Sequence, residues 1–176
     1  MPTDKALLAK YGFLDDLDLR GWAWEFLRRD DDYRNDFDRL QKLAHPEPFE
    51  AEHAALALKW HVRRLIDPES CEVPEFFHER YQLDDDLMWR DPRKWDAMMA
   101  ELQTPHFNLR TWKHSIICKD LRAQGYSLNK IASRLYPNHQ GQSQQTQHDP
   151  ARHLVQGDLR RLKKLQVDYI KIAYRK

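Results

Sequence analysis

Six times along the chain a short polar side chain stands directly before a run whose apolar residues recur at three- and four-residue steps: Asp18, Asp30, Asp91, Asn108, Ser127 and Asp149. Side chains of this kind accept hydrogen bonds from the unpaired backbone N–H groups of a first helical turn, so each reads as a helix start. The stops are equally plain. Gly12 closes a short pattern that opens near Thr3, Gly125 suits the left-handed residue that ends a helix, and Pro137 halts the run from Leu128 to Tyr136. No segment shows the sustained apolar–polar alternation of a half-buried strand. The expected fold is all-α. With 176 residues, 41% hydrophobic and 32% charged, the chain has enough apolar material for a folded core.

Asp18 opens a helix running through Trp22, Trp24 and Phe26, with Arg28 and Arg29 in its last turn, where cations suit the helix dipole. Asp30, Asp31 and Asp32 supply the cap and acidic first turn of the next helix, which carries Tyr33, Phe37, Leu40 and Ala44. After a break at His45-Pro46-Glu47-Pro48, a third helix is predicted from Phe49 to Leu65, with Ala55, Leu58, Val62 and Leu65 as its core stripe. The stretch from Glu69 to Arg90 is irregular, with Val73, Pro74, Phe76 and Phe77 as an apolar plug. Asp91-Pro92 then opens a helix, and Thr104-Pro105 marks a domain boundary.

Charge divides at the same place. Residues 1–105 hold 15 Lys and Arg against 24 Asp and Glu, whereas residues 106–176 hold 14 against 4. The overall net charge of +1 conceals an acidic helical domain, 1–105, followed by a basic one, 106–176. A module of the second kind attracts polyanions. The alternative is that the two halves neutralise each other internally.

Within the basic half, a helix, a glycine, a Ser127-capped short helix with Ile131-Ala132 inside it, and a longer basic helix follow one another in the order of a helix-turn-helix. At 100° per residue, Val155, Leu159, Leu162, Leu165, Tyr169 and Ala173 fall on one side of the last helix. His153, Gln156, Arg160, Lys164 and Lys171 project from the other, with Arg152 and Lys163 at its edge. Arg and Gln side chains can read guanine and adenine edges, and Lys neutralises phosphate. The DNA-binding candidates are therefore Ser127, Lys130, Arg134, Arg152, His153, Gln156, Arg160, Lys163 and Lys164. The Gln-rich stretch from Pro137 to His148 is longer than the three or four residues usual between the helices of such a motif.

Other chemistries find less support. His61-Val62-Arg63-Arg64 has the His-x-x-Arg spacing of tyrosine recombinases, without the remaining catalytic set, and reads as the wet end of a helix. The Asp30–Asp32 and Asp84–Asp86 runs lack the alternating ligands and turn glycine of a calcium loop. His139, His148 and His153 have no partner cysteines. Neither catalysis, a cofactor nor a bound metal is expected. Cys71 and Cys118 form no metal spacing or disulfide framework, and no apolar stretch reaches the ~20 residues of a membrane span, so a cytoplasmic, non-membrane protein is expected. Trp22 and Trp24 lie about 200° apart on a helix, so one of them is expected to mark a partner surface.

The block Gly21-Trp22-Ala23-Trp24-Glu25-Phe26-Leu27-Arg28-Arg29, with Tyr33-Arg34-Asn35-Asp36, resembles a proteobacterial "transcriptional regulator-like" domain of unknown function. Ala57 to Arg63, Asp67-Pro68 and Pro74 to Phe77 resemble the stretch that follows it there. Leu121 to Ala132, through Leu135-Tyr136, with Arg152, Arg160 and Tyr174-Arg175, is similar to the C-terminal helix-turn-helix-like region of those proteins. Asp30-Asp31 departs from the family's frequent Asn-Pro, and the Gln-rich loop is this chain's own. The resemblance implies a regulator carried on an integrative or conjugative element, either binding double-stranded DNA or acting as an antiactivator-like module that holds another regulator. The acidic half would then serve self-association or a protein partner.

Overall fold

A computed structural model describes residues 5–43, 45–76, 108–137 and 150–173. They form seven α-helices, and among the described residues there is no strand beyond a single bridge between Val62 and Phe76. The helices are α1 (Lys5–Lys10), α2 (Leu19–Leu27), α3 (Asp31–Gln41), α4 (Pro46–Lys59), α5 (Leu109–Ala123), α6 (Leu128–Leu135) and α7 (Pro150–Ala173), with a 3-10 turn at Gly12–Asp16. The fold is all-α, as the pattern of starts and stops requires. Asp18 accepts from the Gly21 amide at 2.7 Å, Asp30 from Asp32 and Tyr33, Asn108 from Thr111, and Ser127 from Lys130. The expected helix at Asp91-Pro92, the boundary at Thr104-Pro105, the cap at Asp149 and nearly all of the Gln-rich loop lie outside the described residues.

The chain divides into two compact units, one of residues 1–17 and 106–167, the other of 18–105 and 168–176. This differs from a linear division at 105 at both chain ends. Residues 1–17 join the basic unit because Tyr11 and Leu14 are buried and Asp15 pairs with Lys113 of α5 at 2.8 Å. The end of α7 joins the acidic unit because the Tyr169 hydroxyl donates to the Trp60 carbonyl at 2.6 Å and its ring packs on Phe76. The charge segregation survives the exchange. The first unit holds 13 Lys and Arg against 6 Asp and Glu, the second 16 against 22.

In the acidic unit every residue of α2 from Gly21 to Leu27 is buried. Trp22 and Trp24 are each only 1% exposed, which corrects the expectation that one of them marks a partner surface. The angular argument assumed a helix buried on one side, whereas a helix apolar nearly all round is enclosed. Trp22 packs on Phe26, and Trp24, Tyr33 and Trp60 make successive edge-to-face contacts at 5.8 and 5.5 Å. Glu25 is buried in α2 but takes both Arg28 and Arg29 as partners.

The third long helix is also corrected. It begins at Pro46, since the first turn has no use for proline's missing N–H, and it stops at Lys59 rather than Leu65. His61 adopts a left-handed φ of 47°, and the Val62 and His61 amides turn back to Ala57 and Leu58. This is the closure usually made with glycine, and histidine tolerates it better than most residues. His61 to Arg64 is therefore a turn, not a helix end. Ala55 and Leu58 are exposed, while Val62 and Leu65 are buried from the irregular segment. The Tyr33 hydroxyl anchors that segment by donating to the Ile66 carbonyl and accepting from the Ile66 amide.

Candidate nucleic-acid interface

The basic unit is built around a tight connection between α5 and α6. Gln124 to Ser127 is a four-residue turn in which Gly125 takes φ 83°, a conformation L side chains rarely adopt. The Gly125 amide bonds the Arg122 carbonyl at 2.9 Å and the Tyr126 amide bonds Leu121 at 3.0 Å, which satisfies two of the orphan carbonyls of α5. Ser127 then starts α6 without a break. The Tyr126 position is thus fixed from both sides. Lys130 and Arg134, four and eight residues on, lie over its ring at 5.2 and 4.8 Å from the centroid, within cation–π range.

α7 is held to these helices through its buried side. Ala151, Val155, Leu162 and Leu165 are buried, and between them lies Asp158, 4% exposed. The Asp158 carboxylate accepts a short hydrogen bond from the Tyr136 hydroxyl at the end of α6, and a weak one from the Cys118 thiol of α5 at 3.8 Å. Arg161 completes the set at 2.5 Å. His114 meets Tyr136 with Nδ1 3.0 Å from the hydroxyl. Burial, then the Asp158 charge, pushes the Tyr136 and Cys118 ionisations upward. Burial also holds the His114 imidazole below its usual 6.5, although Asp158 pulls the other way. One buried carboxylate therefore ties α5, α6 and α7 together.

On the outer side of α7, Arg152, His153, Arg160, Lys163 and Lys164 are exposed and Gln156 is half-buried, so the helical projection places this face correctly. Ser127 and Lys130 are exposed on α6, and Arg134 is half-buried. Among the described residues, Arg122, Lys130, Arg152, Arg160, Lys163 and Lys164 make no ion pair with a carboxylate. The acidic unit contrasts sharply: Arg28, Arg29, Arg34, Arg39, Lys59, Arg63 and Arg64 all pair with carboxylates of their own unit. Asp36 alone receives Lys59, Trp60 and Arg39. Burial pulls its ionisation upward, but those partners hold it below the usual carboxylate value. Sequence reading did not single out Asp158, Arg122 or Tyr126. An acid at the three-residue step between Val155 and Leu162 was the available sign of the first; the other two emerge only when the turn closes.

Among the described residues, no three His, Cys, Asp or Glu side chains gather as a metal set, and no helix is long and apolar enough to cross a membrane. Residues 6–63 match the model of a family described as a proteobacterial transcriptional regulator-like domain. The match runs from α1 to the turn after α4, and a regulatory role is the level of function it supports. Neither a curated protein nor a solved structure matches the chain.

Proposed function

We propose that the protein is a non-enzymatic regulator that binds double-stranded DNA through its basic unit, with the outer face of α7 in the major groove. The carrying observation is the contrast in charge pairing. Most described cations of the acidic unit, Arg28, Arg29, Arg34, Arg39, Lys59, Arg63 and Arg64 among them, pair with neighbouring carboxylates, while Arg152, Arg160, Lys163 and Lys164 of α7 have no such partners among the described residues. A cluster of unpaired cations raises self-repulsion, which a polyanion relieves. α5, α6 and α7 play the parts of a helix-turn-helix unit, Lys130 and Arg134 lie on phosphates, and Gln156 faces base edges between the cations of α7. The match over residues 6–63 agrees with a regulatory setting. The resemblance of the wider chain favours a regulator of a mobile genetic element.

The test is fluorescence anisotropy with a mixed-sequence duplex at several salt concentrations. Wild-type protein binds with an affinity that falls steeply with salt, and Arg160→Glu combined with Lys164→Glu abolishes binding while leaving circular dichroism unchanged. Undiminished affinity in that double variant refutes the placement of α7. Absence of wild-type binding at low salt refutes the DNA reading and favours a protein partner for the basic face.

A further inference from the structure

Tyr126 was not among the residues expected to meet DNA, yet three cations converge on it. Arg122 donates from its guanidinium to the Tyr126 carbonyl at 2.9 Å, while Lys130 and Arg134 lie over the ring. Arg122 comes from the last turn of α5, and Lys130 and Arg134 from α6, so the turn itself assembles the group. Like charges gathered in this way repel, and neither Arg122 nor Lys130 has a carboxylate partner among the described residues. The negative face of the tyrosine ring offsets part of that repulsion without neutralising the charge. The backbone beneath is rigid, because Tyr126 belongs at once to the closure of α5 and to the approach to α6.

We infer that Arg122, Tyr126, Lys130 and Arg134 form a clamp for neighbouring phosphodiesters of the DNA backbone, with Tyr126 as the positioning residue that holds two of the cations in register. This rests on the DNA-binding reading, which already puts Lys130 and Arg134 on phosphates, and adds to that contact, separate from the α7 face, Arg122 as a third cation and Tyr126 as the group that positions them. Arg122 and Lys130 supply donors to the phosphate oxygens, and the ring limits the side-chain freedom that each cation loses on binding. Phosphate contacts of this kind fix orientation on the duplex and carry no base preference.

The experiment compares wild-type, Tyr126→Phe, Tyr126→Ala, Arg122→Ala and Lys130→Ala on the same mixed-sequence duplex across a salt series. Without the ring, Lys130 and Arg134 must each be ordered on binding, so Tyr126→Ala weakens binding about 5- to 30-fold, whereas Tyr126→Phe stays close to wild-type. Arg122→Ala and Lys130→Ala, both at exposed positions, each reduce the salt slope by about 0.9. With Arg122, Lys130 and Arg134 all changed to alanine, adding Tyr126→Ala has little further effect, because the ring acts through the cations; a purely structural role would instead lower affinity again. If wild-type binds but Arg122→Ala and Lys130→Ala keep its slope, the clamp is wrong and the α7 assignment stands. If wild-type does not bind duplex DNA, both fail.

Discussion

Tyr136→Phe removes a single oxygen, yet it withdraws the hydroxyl donor of a carboxylate that is 4% exposed. Asp158 is left with Arg161, whose side chain is 41% exposed, and with the weak Cys118 thiol at 3.8 Å. A hydrogen bond to a charged group contributes about 1.5–3 kcal/mol, and the buried oxygen cannot recover it from bulk water. The expected loss of unfolding free energy is therefore ~1.5–3 kcal/mol, read by urea titration followed through far-ultraviolet circular dichroism. Tyr136→Phe together with Asp158→Leu should recover much of that loss, since replacing both partners with apolar groups is nearly neutral. Arg161, with 41% of its side chain exposed, can turn its charge to water. A loss below about 0.5 kcal/mol in the single variant, or a double variant less stable than it, would refute Asp158 as the tie among α5, α6 and α7.

Gly125→Ala meets no atom within 4 Å of the new Cβ, so its cost is that of the φ of 83° alone. It should lower stability by ~1–2 kcal/mol in the same titration, and an unchanged midpoint would show that the turn relaxes elsewhere. Burial raises the Tyr33 hydroxyl from 10.0 to about 12, and burial likewise raises Tyr169 and Tyr136. The unfolded chain releases these protons first, so the tyrosine contribution to stability is constant below about pH 10 and is lost as pH rises through 12. A urea midpoint that is flat from pH 9.5 to 11.5 would contradict the buried placement of these hydroxyls, as would Tyr33→Phe leaving the fall unchanged.

Helix starts were legible because a cap is a local event: Asp18, Asp30, Asn108 and Ser127 each bond an amide two or three residues away. The exposed face of α7 was legible for the same reason, since periodicity alone sorts Arg160 and Lys164 from Val155 and Leu162. What depends on distant partners was not. The end of α4 turns on His61 taking a glycine's conformation, which composition does not signal. Trp24 is enclosed by Tyr33, itself backed by Trp60, and by the segment around Ser70, all from other parts of the chain, and Trp22 is buried as fully. Asp158 gains its meaning only when Cys118 of α5 and Tyr136 at the end of α6 meet it. The exposed face of α7 therefore followed from one helix's pattern, but its support did not.

Under the proposed DNA binding, salt dependence separates the α7 face from the turn of the basic unit. α7 contains six Lys and Arg and two Asp. Asp158 is buried and takes Arg161, and Asp168 pairs with Lys171, which leaves Arg152, Arg160, Lys163 and Lys164 as the cations a polyanion meets. From Arg152 to Lys164 the helix rises about 18 Å, alongside which duplex DNA carries roughly ten phosphates at one per ~1.7 Å. Phosphate supply is therefore not limiting. If these four cations alone displace counterions, log K falls with log salt at about −3.6, at ~0.9 for each phosphate neutralised. If Arg122, Lys130 and Arg134 engage as well, the slope approaches about −6. Restoring a slope near −3.6 by removing only those three cations would assign the difference to the turn. A wild-type slope shallower than −2 would mean that the exposed face of α7 does not lie along the phosphates.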